Sequence, residues 1–68
     1  MKYAVVIENT PQNYSAYVPD LPGCVATGST REEVTRHIRE AIAFHVECMR
    51  EDGEPLPEPK ASTGLVEV

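Results

Sequence analysis

The chain has 68 residues, 11 acidic side chains against 6 basic ones, and a net charge of −5 at pH 7. A domain of this size buries only about 60% of its unfolded surface, so there is room for one domain of marginal stability, spanning residues 1–68. The acidic balance opposes broad phosphate binding at long range and favours a basic partner, and two cysteines write no disulfide framework.

Lys2 to Glu8 reads as a first strand, with Tyr3, Val5 and Ile7 on one face and Ala4 and Val6 on the other. Its apolar run is too short for a signal-peptide core. Nowhere does the sequence approach the roughly 18 apolar residues of a membrane span. Both cysteines are therefore read as reduced thiols in a cytoplasmic protein. Asn9 to Asn13 form a hairpin loop, with Asn13 placed in the left-handed region. Tyr14, Ala16 and Val18 alternate with Ser15 and Tyr17, the period of a second strand with one buried face.

Pro19 ends that strand, because it has no amide hydrogen for a ladder, and Pro19 to Gly23 is a rigid loop in which Gly23 supplies a positive φ. Cys24 to Thr27 return as a short third strand. Thr30, Arg31, Glu32 and Glu33 then match a capping box. In that motif the threonine hydroxyl accepts from the Glu33 amide, and the Glu33 carboxylate reaches back to the Thr30 amide.

A helix over Arg31 to Glu51 gathers Val34, His37, Ile38, Ala41, Ile42, Phe44, His45, Cys48 and Met49 in one arc. The opposite arc is charged, and Gly53 is the stop signal. The alternating prolines from Glu54 to Pro59 form a stiff spacer, and Leu65 to Val68 are read as a fourth strand, frayed or paired with another subunit. The fold class is α+β, ordered β-β-β-α-β. One helix covers one face of the sheet, whereas the first strand is apolar on both. This favours self-association over the alternative, that Ala4 and Val6 are ordinary exposed apolar residues.

His37, His45 and Cys48 share a helix face, and His45 and Cys48 have the i, i+3 spacing of two ligands. A fourth ligand has to come from Cys24 in the sheet, and the residues between are core-like, so semi-buried packing is preferred and neither a metal nor another cofactor is assigned. No nucleophile accompanies His45, and Glu8 is the sole acid in the first three strands, too few for two-metal hydrolysis. No catalytic residue is assigned. Asp20, held between two prolines, reads equally as a contact residue and as a local loop cap.

The opening strand, the Val18-Pro-Asp-Leu-Pro-Gly-Cys24 string, the capping box, the Glu40-Ala-Ile segment with His45 and the Gly53-Glu-Pro-Leu-Pro-Glu-Pro59 stretch together resemble the HicB antitoxin family. The resemblance covers almost the whole chain and implies a partial RNase H-like fold without the nuclease's metal-binding carboxylates. It further implies a non-enzymatic antitoxin of a type II toxin-antitoxin system. Its partner is a HicA-like basic toxin that cleaves mRNA and is neutralised when its active surface is covered. Larger members carry a C-terminal DNA-binding module, which finds no counterpart here, so no direct DNA binding and no membrane contact are expected. Glu8, Tyr17, Asp20 and Leu21 are the expected toxin contacts, Tyr17 as an aromatic anchor, within a homo-oligomer. The alternatives are a stand-alone oligomeric scaffold without a toxin, and a degenerate RNase H-like domain with weak metal-dependent hydrolysis using His37, His45 and nearby carboxylates.

Overall fold

The computed structural model describes residues 2–68. Strands β1 (Val6–Asn9), β2 (Tyr14–Tyr17) and β3 (Val25–Gly28) form an antiparallel sheet in the order β1-β2-β3, followed by helix α1 (Arg31–Glu51). The α+β architecture and the helix limits agree with the sequence reading. The first strand is shorter than Lys2 to Glu8, because its ladder with β2 ends where Val6 pairs with Tyr17. Likewise Val18 and Cys24 flank the strands. They are joined by the Val18 amide to the Cys24 carbonyl at 3.2 Å.

Between them the chain makes a compact corner. The Leu21 amide donates to the Val18 carbonyl and the Cys24 amide to the Leu21 carbonyl, while Gly23 takes φ 84°, a region that strains any other residue. Leu21 is driven completely into the interior and joins Ala16, Val18, Cys24, Val34 and Ile38 as the core. Burial pushes the Cys24 thiol pKa up, which keeps it protonated and chemically quiet.

The hairpin from β1 to β2 differs from expectation, since Asn13 keeps a negative φ. The Thr10 hydroxyl organises it instead, accepting from the Gln12 and Asn13 amides and facing the Asn13 carbonyl and Oδ1 at 3.0 and 2.9 Å. At the helix start the Thr30 hydroxyl accepts from the Glu33 amide at 3.0 Å. The Glu33 carboxylate, however, accepts from the Ser29 amide at 2.7 Å rather than that of Thr30. One turn further along, His37 Nδ1 donates to the Thr27 carbonyl at 2.7 Å and ties α1 to β3.

The helix ends in a Schellman motif around Gly53, φ 71°, with Gly53 donating to the Arg50 carbonyl and Glu54 to that of Met49. At 21 residues it is about 31 Å long, whereas strands of four residues span about 13 Å. Its second half therefore overhangs the sheet. No residue after Ile38 is fully buried, and Phe44, expected in the apolar arc, is 72% exposed.

Beyond the helix the chain doubles back and is pinned at three points. The Tyr3 hydroxyl donates to the Pro57 carbonyl at 2.6 Å, and the Asp20 carboxylate accepts from the Lys60 and Ala61 amides. Residues 62–65 then flank Val5, Val6 and Ile7 across an open groove of about 490 Å³. No ladder joins residues 65–68 to the sheet, so the expected fourth strand over Leu65 to Val68 does not form within this chain.

Candidate partner-binding face

The register of the sheet sorts its side chains into two faces. Ile7, Ala16 and Ala26 are cross-strand partners on the face that α1 covers. Val6, Tyr17 and Val25 align on the other face, above a second row of Glu8, Ser15 and Thr27. Tyr17 is 42% and Val25 64% exposed, Val6 is half-buried, and Glu8 is exposed. The result is an aliphatic and aromatic stripe across all three strands with a carboxylate one residue-pair away.

Two of the four expected contact residues meet here. Glu8 on β1 and Tyr17 on β2 are diagonal neighbours, since Glu8 opposes Ser15 and Val6 opposes Tyr17. Asp20 lies elsewhere, where its carboxylate is occupied with the Lys60 and Ala61 amides. It is not the local loop cap that was the alternative expectation, for the backbone it caps belongs to a distant segment. Leu21 is a correction. It has no exposed surface, because the loop that presents Asp20 outward turns the next side chain inward.

Val25 was missed by the sequence reading. Its signal is the alternation Cys24, Val25, Ala26, in which a buried Cys24 and a core-facing Ala26 send Val25 to the opposite side. His37 is committed to the Thr27 carbonyl, which makes Nδ1 the protonated nitrogen. Among the described residues no three of His, Cys, Asp and Glu gather to hold a metal ion. The face exposes a continuous apolar stripe with Tyr17 on its central strand, the composition that interface anchors favour.

Residues 3–67 match the family described as HicB_like antitoxin of bacterial toxin-antitoxin system. The chain belongs to the HicB-like antitoxin family. A chain of a solved structure, the HicA3 and HicB3 toxin-antitoxin complex, superposes with a TM-score of 0.73 at 35% identity, over 87% of this HicB-like chain and 70% of the other. Among curated relatives, an uncharacterised 14.9 kDa protein of Haemophilus phage HP1 is 46% identical over 57 residues. That match takes in 84% of the present chain and 43% of the phage protein, so the chain spans less than half of that relative's length. A UPF0150 protein of Thermoplasma acidophilum is 37% identical over 90% of both chains. The family assignment made from the Val18 to Cys24 motif and the capping box is thus borne out.

Proposed function

We propose that this chain is the antitoxin of a HicA–HicB-type pair. It is a non-enzymatic, cytoplasmic protein that self-associates and neutralises a small basic mRNA-cleaving toxin by covering its active surface. The likeness over 87% of the chain to a protein taken from a toxin-antitoxin complex carries this reading. Two properties of the chain support it. Its net charge of −5 draws a basic partner, and the open sheet face offers Tyr17 and Val25 beside Glu8. The contact set is therefore Glu8 and Tyr17, joined by Val25. Asp20 acts indirectly through the segment it holds, and Leu21 belongs to the core.

Inspection of the flanking genes for a small basic open reading frame, then its co-expression with this chain and pulldown, tests the pairing. The expected result is capture of the toxin and loss of its mRNA cleavage. Tyr17→Ala with Val25→Asp should abolish capture and Glu8→Arg should weaken it. Capture unaffected by all three changes would move the contact off the open face. Absence of capture by the unmodified chain would leave the stand-alone scaffold.

A further inference from the structure

Lys2, Tyr3, Val5, Ile38, Arg39 and Ile42 line an open groove of about 500 Å³ between the segment that leads into β1 and α1. Its walls are mostly apolar, and Lys2 and Arg39 are exposed cations on its rim. The segment after residue 64 has the matching character. Leu65, Val66 and Val68 are all exposed, Leu65 and Val68 completely so, and Glu67 stands between the valines.

The segment is directed away from the groove of its own chain. Pro57 is held at Tyr3, Lys60 and Ala61 are held at Asp20, and residues 62–65 flank Val5 to Ile7. It therefore travels in the direction of β1, from the Tyr3 end to the Ile7 end. An extended chain advances about 3.3 Å per residue, so the same heading carries the residues after Leu65 further from Tyr3. To reach Tyr3 and Ile42 of the same chain it has to reverse direction or break its anchors.

We propose that Leu65 to Val68 of one copy dock in the Tyr3, Val5, Ile38 and Ile42 groove of a second copy, with Glu67 against Lys2 and Arg39. This rests on the self-association in the proposed function and names its interface. A two-fold axis that sets two β1 strands antiparallel brings the Ile7 end of one beside the Tyr3 end of the other. Each copy then gives its segment to the other's groove, and the assembly closes at two. Opposite charges at the rim fix the register.

Light scattering over a concentration series, without toxin, tests the docking. The full chain is expected to be a dimer, and Leu65→Asp and Val66→Asp should each raise its dissociation constant by about tenfold or more. Their helix content should not change, because both side chains are already exposed. Glu67→Arg should weaken the dimer too, and Arg39→Glu in the same chain should restore part of the loss. A dimer unmoved by both aspartate variants overturns the docking and leaves self-association standing. A monomer across the whole series overturns both, and toxin capture, read separately, is unaffected by either result.

Discussion

Asp20 and Ala61 lie 41 positions apart in the sequence, and the Asp20 carboxylate accepts the Ala61 amide at 2.9 Å. The same oxygen accepts the Lys60 amide at 3.0 Å. A rigid loop set by Pro19, Pro22 and a positive-φ Gly23 thus decides where the chain goes after the helix. Local chain stiffness becomes long-range placement.

Replacing Asp20 with alanine should release that segment. Hydrogen bonds to a charged acceptor contribute about 1.5 to 3 kcal/mol each in sheltered settings and less near solvent, so a loss of about 1 to 2 kcal/mol is expected. Amide exchange at Lys60 and Ala61 should accelerate, while the β1–β2 ladder keeps its protection. Asp20→Asn retains an acceptor oxygen and should fall in between. Unchanged exchange at both amides in Asp20→Ala would show that other contacts hold the segment.

Gly28 is required for a steric reason. A Cβ built there lies 2.6 Å from the Val34 amide nitrogen and 2.9 Å from its Cα. Backbone atoms cannot swing aside as a flexible side chain does, so β3 and α1 must separate. Gly28→Ala should lower stability by about 1 to 3 kcal/mol, measured by urea denaturation. Gly64→Ala is the control, because a Cβ there meets nothing within 4 Å.

Glu33 links the helix cap to pH. The Ser29 amide, and to a smaller extent the charges of His37 and Arg36, hold its carboxyl below the usual range. A carboxyl with a lowered folded pKa stabilises the fold fully above its unfolded value, about 4.3. That contribution disappears as the pH falls through the lowered folded value. Melting temperature should therefore decline on acidification below the ordinary carboxylate pKa, and Glu33→Gln should flatten that part of the profile. An identical profile in the two proteins would exclude Glu33 as the titrating group.

Much of this was legible because its causes are local. The capping residue Thr30, the stop at Gly53 and the apolar repeat between them define α1 from neighbours within a turn or two. The alternation from Tyr14 to Tyr17 likewise shows which residues face the core. Features that depend on what lies opposite were not legible. Lys2 to Val5 look like strand, but the second strand has already turned away at Pro19. Phe44 sits in the correct helical arc, yet there is no sheet beneath that part of α1. The Asp20 bonds to Lys60 and Ala61 leave no trace in either segment alone. Half of the candidate face is legible as well, since the charge of Glu8 and the aromatic ring of Tyr17 stand out in the sequence, whereas the placement of Val25 depends on the strand register.

The unequal lengths of α1 and the sheet grade the molecule along its axis. Opening of the helix from Glu51 back towards Phe44 disturbs no buried side chain, so those amides should exchange through small, frequent fluctuations. Opening past Ile38 and Val34 exposes the core itself and requires the whole domain to unfold. A single helix is thus expected to hold both slowly and rapidly exchanging amides, with the change between the two regimes near Ile42, the last helical residue packed against the core.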